Sequence, residues 1–277
     1  MLTKSDTFTF KIPKSSLKRF LRKFLFYIFA YIFQQRHFQF LNFASNLAQG
    51  KGWGSSTIKK EVDCCLFLLG HEPDIFLDIG SNKGIYTEEL LSRLKNKSKI
   101  KTLLFEPSKT NINYLNKKFN DYENIKVVPY ALSDSEKICT LYADEPGSGG
   151  ASMSELKYAN FDKNKTYREE IKTVRFDQYW GDDNKDLIID YVKIDVEGHE
   201  LSVLKGFGKL INKIQLIQFE FGHQNIETRT FLRDFWDFFN ANNFELYRIT
   251  PFNIYKLDNY AESEEVFTCT NYIALRK

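Results

Sequence analysis

The chain has 277 residues, of which 43% are hydrophobic and 16% aromatic, enough apolar material for one sizeable core with an appendage or for two small domains. This composition excludes a disordered or collagen-like chain. The 39 basic and 36 acidic residues give a formal charge of +3, and this balance argues against a nucleic-acid partner, because such proteins usually carry a strongly basic face.

The four cysteines, Cys64, Cys65, Cys139 and Cys269, form neither a C-x-x-C pair nor a disulfide framework. Cys64 and Cys65 are adjacent in an apolar run, which favours buried thiols over a metal or redox site. This use of cysteine is typical of the reducing cytoplasm, where we expect the protein to be located.

The N-terminal segment combines positive charge with aromatic residues. Lysines and arginines between positions 11 and 23 precede the apolar run F-L-F-Y-I-F-A-Y-I-F at 24–33. That run is half of the roughly 20 residues that a spanning helix needs, and no small-residue cleavage site follows it. Two interpretations stay open: a helix that packs on the main domain or on a second subunit of a homo-oligomer, and a helix through residues 11–40 that lies on an anionic membrane surface.

Glycine and serine mark the next boundary. Residues 49–56 read Q-G-K-G-W-G-S-S, a composition that predicts a linker. We therefore divide the chain into an N-terminal helical segment with its linker, 1–56, and a main domain, 57–277.

Beyond the linker, helical and strand-like patterns alternate. Apolar residues at helical spacing predict a helix over 58–69, which Gly70 ends. The predicted strands are 75–80, 101–105, 125–129, 137–143 with 171–176 as its partner, 187–194, 214–221, 244–249 and 268–274, and the predicted helices are 84–95, 108–119, 198–206 and 227–241. This order predicts an α/β fold with a mostly parallel sheet covered on both faces, and the late strands predict an antiparallel edge.

The clearest motif is D-I-G-S-N-K-G at 78–84, between a predicted strand and a predicted helix. In that context Gly80 permits a tight turn, and Gly84 lets helix and strand approach closely. Glu106 ends the second strand, 22 residues after Gly84. This is near the spacing of about 20 residues expected for an acidic residue that binds both ribose hydroxyls of a nucleoside ligand.

The identity of that ligand follows from a missing glycine. A dinucleotide site would carry glycine at all three positions of G-x-G-x-x-G, but here they are Gly80, Asn82 and Gly84. S-adenosylmethionine has no pyrophosphate to accommodate, so we expect it as the cofactor. Asp78 is then expected to accept a hydrogen bond from its amino group, directly or through water.

A second motif, V-K-I-D-V-E-G-H-E at 192–200, ends the fourth core strand. Charged side chains crowd its carboxyl end, where open α/β sheets bind their ligands. Glycine and serine are frequent in another segment, P-G-S-G-G-A-S at 146–152. That loop either closes over a ligand or simply connects two strands.

Taken together, these segments resemble the FkbM-type methyltransferases over roughly residues 70–222. The matching pieces are D-I-G-S-N-K-G-I-Y-T (78–87), F-E-P (105–107), V-V-P-Y-A-L-S-D (127–134), F-D (176–177), Y-V-K-I-D-V-E-G-H-E (191–200), L-K-G (204–206) and I-Q-F-E (217–220). The resemblance implies a Rossmann-like class I methyltransferase fold and O-methylation. It also implies acceptors such as sugars, glycolipid or polysaccharide units and polyketides.

The motifs and the resemblance together predict the cofactor site, with the segment after the third strand beside the adenine. Its predicted residues are Asp78, Gly80, Asn82, Gly84, Tyr86, Thr87, Glu106, Pro107, Ala131, Leu132, Ser133 and Asp195.

An alcohol acceptor must also lose a proton, and a positioned base typically contributes about 10²–10⁴-fold to the rate. The candidate bases are Asp195, His199 and His223, and Glu197 and Glu220 are second-choice candidates. His199 stands where the family often has a small residue. A divalent cation held by Asp195, Glu197 and Glu220 is an alternative way to activate the acceptor, since oxygen ligands suit magnesium or manganese.

The sequence thus predicts a cytoplasmic O-methyltransferase that acts on a hydroxyl of a sugar, nucleotide sugar or glycoconjugate. A nucleic-acid methyltransferase is disfavoured, because no N-P-P-Y or D-P-P-Y motif follows the fourth strand. Two alternatives stay open: a non-catalytic cofactor-binding module, and a methyltransferase for a lipid or polyketide acceptor at a membrane surface.

Overall fold

Helices and strands alternate along most of the chain. The computed structural model describes residues 14–32, 35–52, 58–155, 166–181 and 184–277. The helices are α1 (Lys14–Ile32), α2 (Gln35–Ala48), α3 (Ile58–Leu69), α4 (Ile85–Leu91), α5 (Lys109–Lys118), α6 (Phe176–Trp180), α7 (Glu200–Gly206), α8 (Gln224–Thr228) and α9 (Leu232–Ala241). The strands are β1 (Ile75–Ile79), β2 (Lys101–Phe105), β3 (Ile125–Val128), β4 (Ala131–Leu132), β5 (Lys137–Ala143), β6 (Tyr167–Val174), β7 (Ile189–Ile194), β8 (Ile214–Phe221), β9 (Phe244–Ile249), β10 (Ile254–Leu257) and β11 (Thr270–Arg276).

Chain contacts divide the protein into two units, residues 1–46 and 47–277. In the larger unit the Lys51 ammonium donates to the Ser263 carbonyl at 3.1 Å and pairs with Glu264 at 3.1 Å. The first part of the predicted linker is therefore packed on the larger unit. Residues 53–57 lie outside the described residues, so the boundary at 56 stays a prediction.

The larger unit contains an eight-stranded sheet in the order β10-β9-β11-β8-β7-β1-β2-β3. Five strands, from β8 to β3 in that order, run parallel, while β11, β9 and β10 pair antiparallel. A separate three-stranded sheet has the order β4-β6-β5. The predicted α/β class with a mostly parallel sheet and an antiparallel edge is confirmed, as is the pairing of 137–143 with the segment around 171.

The central strands are apolar because both of their faces are covered. All five residues of β1 and all six of β7 are buried. Alternate residues enter different cores: Leu77 and Ile79 join the cluster with Phe176 and Phe207, whereas Phe76 joins the other, with Val62 of α3. Burial on both faces produces the near-continuous apolar runs from which the strands were predicted.

Several elements differ between the sequence prediction and the structure. The single helix predicted over 227–241 is wrong, because the chain breaks between α8 and α9, where Arg229 adopts a left-handed conformation (φ 54°). Strand β10 was not predicted. It pairs only with β9 at the sheet edge, and two of its four residues are exposed, so it lacks the apolar signature of a core strand.

The smaller unit contains α1 and the larger part of α2. The rings of Phe29 and Phe38 meet at a centroid distance of 6.5 Å, which brings the two helices into contact. Within the described residues, no helix is both long and apolar enough to cross a membrane.

Candidate active site

The strand order reverses at β1, and this places a crevice at the carboxyl ends of β1 and β7. The chain leaves β1 towards β2 and β3 on one side, and reaches β7 on the other. Open α/β sheets bind ligands in such a crevice. The predicted glycine turn and the second motif therefore meet, since Gly80 follows β1 and Asp195 follows β7.

Gly80 is required by the closeness of these two strand ends. Its φ is 79°, and a Cβ there would lie 1.9 Å from the Asp195 carbonyl oxygen. The Gly80 N–H donates to the Phe105 carbonyl at 2.9 Å, and the Asp195 N–H donates to the Ile79 carbonyl at 3.0 Å. A side chain at this position would push the two strand ends apart.

Glu106 is fixed from both sides by backbone N–H groups. Asn82 donates to one carboxylate oxygen at 2.8 Å, and Ser108 donates to the other at 2.9 Å. Burial raises the pKa of Glu106, while both hydrogen bonds oppose that rise. Each oxygen keeps a further lone pair, so the carboxylate can accept from two neighbouring hydroxyls at once.

A cavity of about 580 Å³ opens beside Glu106. The residues that line it are Ile79, Gly80, Asn82, Phe105, Glu106, Pro107, Asn111, Ala131, Leu132, Leu141, Ser148, Gly149, Ala151, Met153, Ile171, Asp195, Val196 and Glu197. One end is apolar and can enclose a flat ring, whereas Glu106 supplies acceptors for a vicinal diol. The lining residues fit an adenosine moiety, and we call this space the cofactor cavity.

A wider cleft of about 1250 Å³ adjoins this cavity. It is lined by Ile58, Glu61, Gly80, Ser81, Asn82, Lys83, Ile85, Tyr86, Gly149, Lys193, Asp195, Glu197, Glu220, His223, Gln224, Cys269 and Asn271. Gly80, Asn82, Gly149, Asp195 and Glu197 line both spaces. The two form neighbouring compartments, and Asp195 is one of the residues at their junction.

A row of polar side chains runs across the sheet beneath the cleft. Asp78, Lys193 and Gln218 occupy paired positions on β1, β7 and β8. The Lys193 ammonium lies 3.1 Å from an Asp195 oxygen and 3.9 Å from an Asp78 oxygen. Burial alone would lower the pKa of Lys193, but Asp195 and Asp78 outweigh it and the pKa is raised. Lys193 therefore stays a cation between two carboxylates.

The row continues through a hydrogen-bonded cluster that holds Glu61. Its carboxylate accepts from the Gln218 amide at 3.0 Å and from the Asn271 amide at 3.1 Å. The Gln218 amide also donates to Asn271 at 2.8 Å. Glu61 and Asn271 both line the cleft, so this cluster shapes its floor.

Two further carboxylates face the cleft in different states. Glu197 has a left-handed backbone (φ 56°) and accepts a hydrogen bond from the Gln224 amide. Burial, and then the charge of Asp195, raise the pKa of Glu220 well above its ordinary value. Glu220 thus favours its protonated form.

The glycine-rich loop lies over the cofactor cavity. Ser148, Gly149, Ala151 and Met153 contribute to the lining. The Ser152 hydroxyl donates to the Glu197 carbonyl at 2.8 Å, which anchors the loop to the turn after β7. The loop therefore covers the cavity as one wall of the site.

Several predicted cofactor residues line neither the cofactor cavity nor the cleft. Asp78 is fully buried and lines neither space; one of its oxygens accepts from the Thr87 hydroxyl at 2.6 Å. Burial raises the pKa of Asp78. Ser133 is buried as well, and its N–H donates to the Val174 carbonyl at 3.0 Å. Asp78, Thr87 and Ser133 thus support the residues around them, and the predicted hydrogen bond of Asp78 to the cofactor, directly or through water, stays a prediction.

Gly84 allows a close approach, but to a different element from the one expected. A Cβ at Gly84 would lie 2.6 Å from the Phe119 ring and 2.8 Å from a Leu115 methyl group. Gly84 therefore lets the turn after β1 pack closely against α5 and Phe119, and not against a strand. Of the other predicted cofactor residues, Pro107, Ala131 and Leu132 line the cofactor cavity and Tyr86 lines the cleft.

The three candidate bases are placed differently. Asp195 lines both spaces and His223 lines the cleft. His199 lines neither; its imidazole lies 3.0 Å from the Ser154 hydroxyl. Burial, together with nearby Lys137, lowers the pKa of His199 to about 4. His199 is thus a neutral side chain that lines neither space.

The metal alternative gains no support from the geometry. In the part of the chain that the structure describes, no group of three or more His, Cys, Asp or Glu side chains is arranged to hold a metal ion. The three proposed ligands have other interactions: Asp195 pairs with Lys193, Glu197 binds Gln224, and Glu220 has a raised pKa.

Sequence reasoning assigned no role to Glu61, Lys193, Gln218 or Asn271. Lys193 and Gln218 did carry a signal, because a polar residue near the carboxyl end of a buried strand has to face either a partner or a site. Glu61 and Asn271 carried none, since a helix over 58–69 and a strand near 270 account for them equally well.

Comparison with known proteins agrees with the motif analysis. The profile of the methyltransferase FkbM domain matches residues 78–246, more than half of the chain. Comparison with curated proteins gives no significant match.

Solved structures with a similar arrangement include methyltransferase FkbM from Methylobacillus flagellatus KT (17% identity, 73% of this chain, 44% of that chain, TM-score 0.43). Others are precorrin-6y C5,15-methyltransferase from Geobacter metallireducens GS-15 (9%, 78% and 87%, 0.40) and N-methyltransferase NodS from Bradyrhizobium japonicum WM9 (8%, 80% and 96%, 0.41). The chain spans less than half the length of the Methylobacillus protein.

The matched profile includes the glycine turn, Glu106 and the second motif, which are the features that build the crevice. The protein belongs to the FkbM methyltransferase family and has the class I methyltransferase fold.

Proposed function

We propose that the protein is an S-adenosylmethionine-dependent O-methyltransferase whose acceptor is a hydroxyl of a sugar, nucleotide sugar or glycoconjugate. The observation that carries the proposal is the position of Asp195 at the junction of the cofactor cavity and the cleft. A carboxylate there can accept the hydrogen of a hydroxyl that enters from the cleft.

Cofactor binding rests on the cavity beside Glu106. Glu106 would hold the ribose hydroxyls, and Ala131, Leu132 and Ile171 would enclose the adenine. When bound, S-adenosylmethionine supplies an electrophilic methyl group for transfer. The protein's main contribution is then to hold the acceptor oxygen roughly 3 Å from that carbon, because positioning provides much of the rate in such displacements.

The composition of the cleft favours a polyhydroxylated acceptor. Carboxylates, amides and an imidazole surround it, and they offer many hydrogen-bond partners to a sugar. Tyr86 and Ile85 add an apolar patch for a ring face. Asp195 would accept the proton that the acceptor hydroxyl loses when its oxygen displaces S-adenosylhomocysteine from the methyl carbon. The Lys193 ammonium, 3.1 Å from an Asp195 oxygen, would keep that carboxylate ionised and in place before the transfer.

The proposal is tested by methyl transfer from labelled S-adenosylmethionine to a panel of sugars, nucleotide sugars and glycoconjugates. We expect a methyl ether as product, identified by its carbon chemical shift. Asp195→Asn should lower kcat by about 10²–10⁴-fold, the usual contribution of a positioned base. Its affinity for S-adenosylhomocysteine, measured by calorimetry, should change by less than about threefold.

The matched control is Asp186→Asn, which changes a carboxylate that is largely exposed and remote from both cavities. It should leave kcat unaltered. Transfer to a nitrogen or carbon acceptor, or full activity in Asp195→Asn, would show the O-methylation assignment to be wrong. Tight cofactor binding without transfer to any acceptor would favour the non-catalytic alternative.

A further inference from the structure

Helix α1 presents an apolar surface of unusual size. Eleven large hydrophobic side chains between Leu17 and Ile32 are exposed, including Tyr31 at 93% and Tyr27 at 74%. Soluble proteins rarely leave so much contiguous apolar surface uncovered, and such a surface marks a binding site for a protein or a membrane.

Over residues 17–24 the helix has two distinct faces, whereas residues 24–32 carry no basic side chain. At 3.6 residues per turn, one face carries a stripe of apolar side chains, with the basic side chains opposite it. The apolar stripe contains Leu17, Leu21, Phe24, Ile28 and Tyr31; the basic face contains Lys18, Arg19, Arg22 and Lys23. A helix with this division lies flat at a boundary between water and an apolar phase.

Charge selects between the partners that such a surface could bind. Between residues 17 and 48 the sequence holds five lysines and arginines and no aspartate or glutamate. A second copy of the same segment would bring like charges together without carboxylates to pair with them. An anionic lipid surface attracts each cation and also accepts the aromatic side chains.

We propose that α1 binds the surface of an anionic bilayer, with its apolar stripe at the acyl boundary and its lysine and arginine side chains among the headgroups. The helix is about 28 Å long at 1.5 Å per residue. No helix in the described ranges qualifies as membrane-spanning, so the contact is peripheral.

The test is flotation of the full-length protein with vesicles of phosphatidylcholine, with and without phosphatidylserine. We expect binding to the anionic vesicles and little to the neutral ones. Because each cation near an anionic surface contributes about fivefold in affinity, Lys18→Glu with Arg22→Glu should lower binding by at least roughly 30-fold. Concentrated salt should weaken binding of the unaltered protein, since it screens these charges.

Matched controls separate the site from general charge and hydrophobicity. Lys97→Glu with Lys99→Glu makes the same change in net charge at exposed positions of the larger unit and should float like the unaltered protein. Phe20→Ser with Phe24→Ser should reduce binding roughly tenfold or more, because it removes exposed aromatic surface that the bilayer would bury. Phe67→Ser with Phe252→Ser, both exposed in the larger unit, should have no effect.

The proposal is overturned if the unaltered protein binds neither kind of vesicle, or if Lys18→Glu with Arg22→Glu binds as well as the unaltered protein. It is also overturned if light scattering shows a dimer without vesicles that Phe20→Ser with Phe24→Ser dissociates, because a second copy would then cover the stripe. Unchanged binding of S-adenosylhomocysteine by each variant shows that the methyltransferase unit is intact.

Discussion

Glu106 illustrates how a buried carboxylate is prepared for a ligand. It has only 5% of its surface exposed, and its ionised form depends on the N–H groups of Asn82 and Ser108. Both donors come from turns that the sheet brings together, one after β1 and one after β2. The carboxylate is thereby oriented before a ribose arrives, which lowers the entropic cost of binding.

We therefore predict that Glu106→Gln weakens the binding of S-adenosylhomocysteine by roughly 10- to 100-fold, since a hydrogen bond to a charged group is worth about 1.5–3 kcal/mol. The glutamine amide also turns an N–H₂ group towards one backbone donor. Isothermal titration calorimetry measures the change. Glu123→Gln, at an exposed position, is the control and should bind as the unaltered protein does. Equal affinity in Glu106→Gln would remove Glu106 from the ribose site.

Asp78 shows what a motif can and cannot reveal at a single position. The sequence placed it correctly at the end of β1, beside the glycine turn. Its burial and its partners, Thr87 and Lys193, depend on the residues that cover that face of the sheet. Packing decides which residues cover Asp78. The sequence alone therefore could not show whether Asp78 reaches the cofactor.

Among the elements, the packing of α7 against β4 controls one side of the cofactor cavity. A Cβ at Gly206 would lie 2.1 Å from the Ser133 carbonyl oxygen, which follows Ala131 and Leu132 of the lining. Because the obstacle is backbone, a side chain at Gly206 requires the end of β4 and its neighbours to move.

Gly206→Ala should accordingly lower the free energy of unfolding by about 1–3 kcal/mol, the usual cost of overpacking. It should also weaken S-adenosylhomocysteine binding, because Ala131 and Leu132 move with Ser133. Urea denaturation gives the stability and calorimetry gives the affinity. The comparison is Gly150→Ala, where a Cβ meets nothing within 4 Å, and we expect no loss of stability. A neutral Gly206→Ala would contradict the tight contact.

The elements also show where local patterns fail. Strands β1, β2, β3, β5, β8 and β9 were predicted within one residue of their bounds, because glycine, proline or aspartate follows each within two residues. The break between α8 and α9 was missed, since a left-handed Arg229 is set by the chain's path and leaves no trace in apolar spacing.

At the scale of the whole molecule, ligand binding should stabilise the larger unit as one body. The cofactor cavity takes residues from β1, β2, the β4-β6-β5 sheet and the turn after β7, so it disappears when this unit unfolds. A ligand that binds only the folded state at 100 times its Kd stabilises by about 2.7 kcal/mol.

S-adenosylhomocysteine at that concentration should raise the Tm by roughly 5–10 °C, since about 1 kcal/mol shifts a domain of this size by 2–4 °C. Scanning calorimetry measures the shift. NAD at the same concentration should cause none, because the turn lacks the second glycine that a pyrophosphate needs. A shift with NAD alone would contradict the assigned cofactor.

The sequence by itself determined the α/β class, the glycine turn, the acidic residue after the second strand and the family, because each depends on residues that are neighbours along the chain. Tertiary structure decided which side chains line the two cavities. In the folded chain Asp195 lines both cavities, whereas His199 and Asp78 line neither. Glu61 and Asn271 line the cleft. Such placements depend on strand register and on packing between distant elements, which no local pattern encodes.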